Sequence, residues 1–362
     1  MLRAGLIGLP STGKTTLFQL LTSSSEVDLQ KAGRQNPNIA VSQVPDQRLD
    51  YLTDLFKPKK RTAATVNFVD MPARSDAGAS GLVDVSSYRE ADALLLVVRG
   101  FRDDSVPHSQ SSIDPARDVR NIEDELVLAD LAVAERRLER LEKERKKGAS
   151  KERDEEIAVL KTCATALEEG KPLRTLTLTT AEAKQLRGFQ FLSAKPLLLV
   201  LNVDESDVAV SIEDLVNGTE LKDFVDGASV HMVTVCAKIE LEIAELEPED
   251  AETFLADLGL DRPGLDRIIR AAYDLLGYLS FFTTGEDECR AWSIPSGTVA
   301  QIAAGEIHSD ISRGFIRAEI ISYDQLMKRG SASECRKHGE MRLEGKDYVV
   351  QDGDVINFRF AV

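Results

Sequence analysis

The chain has 362 residues, 43% hydrophobic and 29% charged, the proportions of a globular protein of two or three domains that buries a core without disulfides. Collagen-like, low-complexity and wholly disordered classes are thereby excluded. With 61 acidic against 45 basic residues the formal net charge is −16, which argues against general polyanion binding and requires any nucleic-acid contact to come from a local basic patch. Cys163, Cys236, Cys289 and Cys335 form no Cys-x-x-Cys pair and no Cys/His cluster, so reduced structural thiols are expected rather than a zinc site. No apolar run reaches the 18 residues of a membrane span, and the N-terminal one is too short for a signal peptide. A cytoplasmic protein without a membrane partner is expected.

In chain order, the apolar, β-branched runs 3–9, 65–70, 93–99, 196–202 and 229–235 read as buried strands of a parallel sheet, continuous rather than alternating. Helical patterns at 14–23 and 46–56 lie between them, which makes the class α/β with crossover helices. The first strand runs into Gly8-Leu9-Pro10-Ser11-Thr12-Gly13-Lys14-Thr15, a G-x-x-x-x-G-K-[ST] string in strand–loop–helix context. Its glycines let backbone N–H groups turn toward phosphate oxygens, and the helix N-terminus adds partial positive charge. Lys14 is expected on the β- and γ-phosphates and the Thr15 hydroxyl on Mg²⁺. Asp70, ending a strand, is expected to meet the same metal through water. Asn202 and Glu205, in Asn-Val-Asp-Glu after another strand, are placed to read a nucleobase edge, because ligands of such sheets bind at the carboxyl ends of strands.

Between the third and fourth strands lies a long insertion. Val127, Leu131, Ala134, Leu138 and Leu141, then Ile157, Leu160, Ala164 and Leu167 after a Gly148 turn, describe an antiparallel coiled-coil hairpin. Its tip, 136–153, holds nine basic and four acidic residues. This reads either as a solvated charged end or as an RNA contact made by Arg136, Arg140, Arg145, Lys146 and Lys147. After about 278 the segments shorten and alternate, with Asp352-Gly353-Asp354 as a turn signal, and a small mixed sheet is expected. Thr298 is expected to cap a helix there.

The segments 8–18 (GLPSTGKTTLF), 44–49 (VPDQRL), 202–205 (NVDE), 236–240 (CAKIE), 314–319 (GFIRAE) and 342–360 resemble the YchF or Obg-like ATPases, a branch of the translation-factor-type P-loop NTPases, over essentially the whole chain. The resemblance implies a P-loop G domain (1–111 with 195–278), an inserted helical hairpin and return segment (112–194) and a C-terminal β-grasp-like TGS domain (279–362). It implies ATP or GTP as ligand, with the N-x-x-E form at Asn202 and Glu205 resembling ATP users. It assigns Gly8, Pro10, Ser11, Thr12, Gly13, Lys14, Thr15, Thr16, Asn202, Glu205, Cys236 and Ala237 to the nucleotide, and places beside Lys14 a water-positioning histidine at His108. Two departures stand out: Ala73 where the family carries the glycine of D-x-x-G, and Arg34 at the switch threonine. Three readings follow: a slow Mg²⁺-dependent NTPase switch on ribosomes or RNA, a nucleotide-responsive module that has lost hydrolysis, and an RNA-binding adaptor.

Overall fold

The computed structural model describes residues 3–23, 38–70, 85–108, 110, 112–146, 150–217, 219–225 and 230–361. The chain divides into two compact units, one running to Val41 and from Asn67 to Ala272, the other comprising Ser42–Val66 and Tyr273–Val362.

The first unit is built on a six-stranded sheet of β1 (Arg3–Ile7), β2 (Asn38–Gln43), β4 (Thr65–Asp70), β5 (Ala93–Arg99), β6 (Leu197–Asn202) and β7 (Val230–Val235), in the order β2-β4-β1-β5-β6-β7. β1 is parallel to β4 and β5, and β6 is parallel to β5 and β7. All residues of β5 and β6 are buried, which is why these runs show no alternation in the sequence. The register sets Leu6 beside Asp70, Arg99 beside Asn202 and Asn202 beside Val235. The five strands that begin as apolar runs therefore end along one edge. α1 (Lys14–Ser23) leaves that edge directly after β1.

The insertion opens with two long helices, followed by a return segment that holds the short helix Thr180–Leu186. α3 (Pro115–Arg145) starts on an Asp114 cap that accepts from Arg117 N, with Pro115 in the first turn, where its missing N–H costs nothing. Its 31 residues reach about 46 Å at 1.5 Å per residue. The first turns bury Ala116, Val119, Ile122 and Leu126 with Leu94 and Leu96 of the sheet. Farther out, Val127, Ala134 and Leu141 share a second core with Ile157, Leu160, Cys163 and Leu167 of α4 (Lys151–Glu168). The two expected apolar series thus meet in one cluster. Buried acids fix the root: the fully buried Asp130 carboxylate accepts from Leu192 N (3.0 Å), Ser193 N (2.7 Å), Ser193 Oγ (2.8 Å) and Arg89 Nη1 (3.1 Å). Four donors, one charged, offset the desolvation of that carboxylate. Glu123 pairs with Arg174 nearby.

The second unit holds a mixed sheet, in the order β11-β10-β12-β8-β9-β3, made of β8 (Tyr278–Thr283), β9 (Glu288–Pro295), β10 (Phe315–Ser322), β11 (Arg342–Glu344), β12 (Asp354–Phe360) and β3 (Lys60–Thr62). β12 runs antiparallel to β10 and parallel to β8, while β3 adds to β9 in parallel. Phe281, Ile294, Ile320, Ile356 and Phe358 bury one face against Ala300, Ala303 and Ala304 of the helix Ala300–Ile307. Two expectations need correction. Residues 42–66, including α2 (Gln47–Phe56), belong to this unit and not to the first. Val299, not Thr298, occupies the N-cap position and makes no side-chain cap bond, while the Thr298 hydroxyl donates to Pro295 O at 2.5 Å.

A candidate nucleotide site at the strand ends

The loop 8–13 takes its shape from backbone angles that few residues adopt. Gly8 has φ 153°, Gly13 φ 96° and Ser11 φ 62°. A Cβ on Gly8 would lie 2.3 Å from Val97 O, and one on Gly13 would lie 2.4 Å from Asn202 Nδ2. Both positions thus need glycine for close approach as well as for φ. Thr12 Oγ1 donates to Leu9 O at 3.1 Å and braces the curve. Pro10 and Thr15 are exposed and Thr16 is half-buried in the first turn of α1, where helix N–H groups lack intrahelical acceptors.

Lys14 Nζ donates to Gly8 O at 2.7 Å and Leu9 O at 2.6 Å. Burial pushes its ammonium down to about 8, against the opposing pull of the Asp70 carboxylate. Burial also raises Asp70, and Lys14 works against that shift. The two groups lie in one partly dry field, an arrangement that favours a polyanion together with a cation. Among the described residues no group of three or more His, Cys, Asp or Glu could hold a metal. The donor set is instead one hydroxyl, Thr15, and one carboxylate, Asp70. That fits a hard cation that keeps water and takes its remaining oxygens from phosphates, as Mg²⁺ does.

Asn202 has a different role from the one expected. It is 3% exposed, its Nδ2 donates to Thr12 O at 3.1 Å, and its Oδ1 accepts from Ala237 N at 3.0 Å. The amide therefore clamps the loop 8–13 to the helix Ala237–Glu245, with buried Cys236 at the cap position. Burial pushes the Cys236 thiol up, so it behaves as a packed group. Glu205 pairs with Lys238, over half of each side chain exposed. The hydrogen bond and charge of Glu205 raise the Lys238 ammonium. Asp204 accepts from Arg102 N at 3.0 and 3.2 Å.

Three structural residues escaped the sequence reading. Lys238 lies inside the 236–240 motif, and that motif was the available signal. Glu240, in the same motif, accepts from Gly264 N (2.7 Å) and Leu265 N (3.2 Å) and ties this helix to the start of the helix Gly264–Leu275. Buried Arg99 donates to Phe101 O (3.2 Å), Asp103 O (3.0 Å) and Val106 O (2.9 Å), and stands 4.4 Å over the Phe101 ring. A charged last residue in an apolar strand was its only mark.

His108 needs correction. Its Nδ1 accepts from Gln110 N at 3.0 Å, and its Nε2 lies 3.0 Å from Asp118 Oδ2, with both side chains nearly buried. Both ring nitrogens face protein groups, so the residue braces the start of α3 instead of positioning water. Arg34 and Ala73 lie outside the described residues.

The hairpin end is also less basic than the 136–153 window implied. Asp154, Glu155 and Glu156 follow at once. Arg137 meets Glu156 bidentately at 2.8 and 2.9 Å, Arg145 meets Asp154 at 3.1 Å, and Arg153 lies 3.9 Å from Glu144. Arg136, Arg140 and Lys143 are exposed, and their 4-3 spacing sets them on one helix face. Among the described residues none of the three has an ion pair. Lys146 is exposed beyond them, and Lys147 lies outside the described residues.

Comparison with known proteins agrees with the geometry. A family model described as YchF-GTPase_C, a protein of unknown function, matches residues 278–361. The chain is 40% identical to the "Ribosome-binding ATPase YchF" of Bacillus subtilis, with 100% of each chain covered. It is 39% identical to the protein of that name from Escherichia coli O157:H7, with 99% of each covered. Among solved structures, "Structure of the Schizosaccharomyces pombe YchF GTPase" superposes with a TM-score of 0.85 at 28% identity, over 99% of this chain and 97% of that one.

Proposed function

The chain belongs to the YchF family, and from that premise we propose that it binds ATP, and more weakly GTP, as a slow Mg²⁺-dependent NTPase switch of the cytoplasm that works on ribosomes. The observation that carries this reading is the phosphate loop closed over Lys14, with Asp70 in the same field and Asn202 clamping the loop from behind. Lys14 would exchange two backbone carbonyls for phosphate oxygens. Thr15 and Asp70 would hold Mg²⁺, which when bound neutralises phosphate charge. Hydrolysis would then rest on positioning and charge. Glu205 and Lys238, an acceptor beside a donor at the rim, supply polar groups for a base edge.

A second reading, a nucleotide-responsive module without hydrolysis, is favoured by His108, whose Nδ1 accepts from Gln110 N while its Nε2 lies 3.0 Å from Asp118 Oδ2. Calorimetry with ATP and GTP, followed by single-turnover phosphate release, separates the two. Micromolar-range ATP binding with slow release supports the switch, and binding without release supports the module. Failure of both nucleotides to bind overturns the nucleotide reading altogether.

For the ribosome, the face Arg136–Arg140–Lys143 is one surface whose basic side chains have no ion pair among the described residues, and the C-terminal unit is a second candidate surface. The triple change Arg136→Glu, Arg140→Glu, Lys143→Glu should lower co-sedimentation with ribosomes and flatten its salt dependence, since each lost phosphate contact removes a released counterion. Arg145→Glu alone should do less, because Asp154 already holds that guanidinium. Undiminished co-sedimentation of the triple variant would return these charges to solubility.

A further inference from the structure

Two motifs remain without a role at the nucleotide site, 44–49 and the 352–354 turn, and the second unit brings them together. Asp46 caps α2, accepting from Arg48 N at 3.0 Å, and also accepts from Arg48 Nε (2.9 Å) and Nη2 (2.8 Å). The same guanidinium donates to Asp352 through Nη1 at 2.7 Å and Nη2 at 3.3 Å, and Asp352 accepts in turn from Ser280 N of β8 at 2.9 Å. Arg48 stands 5.2 Å over the Phe282 ring. Gly353 has φ 85°, and a Cβ there would come within 3.0 Å of Arg48 Nη1. Burial works against the Arg48 charge, yet the hydrogen bonds to Asp46 and Asp352 hold it above the ordinary guanidinium value.

The segment around Arg48 is otherwise built into this unit. β3 pairs with β9, Thr62 Oγ1 donates to Glu288 at 2.5 Å, and Lys59 N donates to Glu286 O at 3.1 Å. Yet its two ends continue into the nucleotide unit. The chain leaves that unit at Val41 and returns at Asn67, and the next few residues of β4 end at Asp70, about 10 Å further at strand rise. There is little slack: only residues 44–46 separate β2 from α2, only 63–64 separate β3 from β4, and Val44 N donates to Ala64 O at 2.8 Å across the two crossings. A displacement at the end of β4 cannot be absorbed by a loose linker.

We infer that residues 42–66 form a strap through which nucleotide and metal at Lys14 and Asp70 bias the conformation of the C-terminal unit, with Arg48 on Asp352 as its tie. This rests on the nucleotide-binding reading above. A ligand shifts such an equilibrium only through its differential interaction with the two states, which here enters at Asp70.

Hydrogen exchange of the full chain, with and without saturating ATP and Mg²⁺, tests it, with occupancy verified separately by calorimetry. In the wild type, exchange in 42–66, 278–295 and 350–360 should change by about fivefold or more, the lower end of ordinary coupling. Arg48→Met and Asp352→Asn should each keep ATP binding and the response near Lys14 while losing the response in 278–295 and 350–360. Asp352→Asn guards against Arg48→Met failing to fold, and thermal denaturation identifies a misfolded variant. ATP bound with no change in the wild-type C-terminal unit overturns the strap, as does a full response in both folded variants. If ATP does not bind, the nucleotide reading falls and the strap with it.

Discussion

Lys14→Ala should weaken ATP binding by about tenfold to a hundredfold or more while leaving the chain folded. The ammonium is the charged donor that phosphate would take from Gly8 O and Leu9 O. Loss of a charge-assisted contact costs on the order of 1.5–3 kcal/mol, roughly tenfold to a hundredfold in affinity, and more where one group meets two phosphates. The pH dependence gives a sharper test. Burial lowers Lys14 to about 8 from the ordinary 10.5, so in nucleotide-free protein it is charged below about 8 and becomes neutral above. Bound phosphate favours the charged form, hence ATP affinity should hold steady up to pH 8. It should then fall by up to about tenfold per pH unit. The stability effect has the opposite sign. Between the folded value near 8 and the unfolded 10.5 the unfolded chain binds more protons, so this group's penalty is fully present below 8 and is relieved as pH rises through that window. Calorimetry at pH 7, 8 and 9 with thermal denaturation alongside reads both. Wild-type affinity that stays flat to pH 9 would assign phosphate binding to another group.

What the sequence disclosed follows from how far each signal reaches along the chain. β5 and β6 were legible because a strand buried on both faces is an unbroken apolar run, β1, β4 and β7 because apolar, β-branched residues dominate them, and the loop 8–13 because its glycines, the lysine after it and its flanking elements are contiguous. β2 was not, since Asn38–Gln43 is partly exposed and half polar. The membership of 42–66 was hidden for a different reason: the bond that reveals it joins Arg48 to Asp352 across 304 positions, and no local pattern records such a distance. At the hairpin the error was one of window. Counting charge to Arg153 stopped one residue before three acids that neutralise much of it.

The tetrapeptide 202–205 was read as one base-recognition unit, and the structure divides its labour. Asn202 is a buried brace, Val203 is 3% exposed in the core, and only Asp204 and Glu205 reach the rim. A change of Val203 to lysine would bury an ammonium among apolar side chains and unfold the region before it altered base choice.

Asn202→Ala should therefore be the single change at the site that costs the most stability, and it should weaken binding as well. It leaves Thr12 O and Ala237 N without their partner, and both bonds are buried. An orphaned buried backbone group costs about 1–3 kcal/mol, so the pair amounts to about 2–6 kcal/mol, a large part of the roughly 5–15 kcal/mol that holds a domain together. The clamp also fixes the loop against Gly13, whose open Cβ position is where the Asn202 amide sits. Its loss should free the loop and reduce ATP affinity even in the fraction that remains folded. Glu205→Gln is the matching control from the same tetrapeptide: its partner Lys238 is exposed, so the denaturation midpoint should scarcely move while any change appears in the ratio of ATP to GTP affinity. Urea denaturation with nucleotide calorimetry on both variants reads the difference. An Asn202→Ala protein as stable as the Glu205→Gln protein would mean that the two hydrogen bonds are not what joins the phosphate loop to the helix behind it.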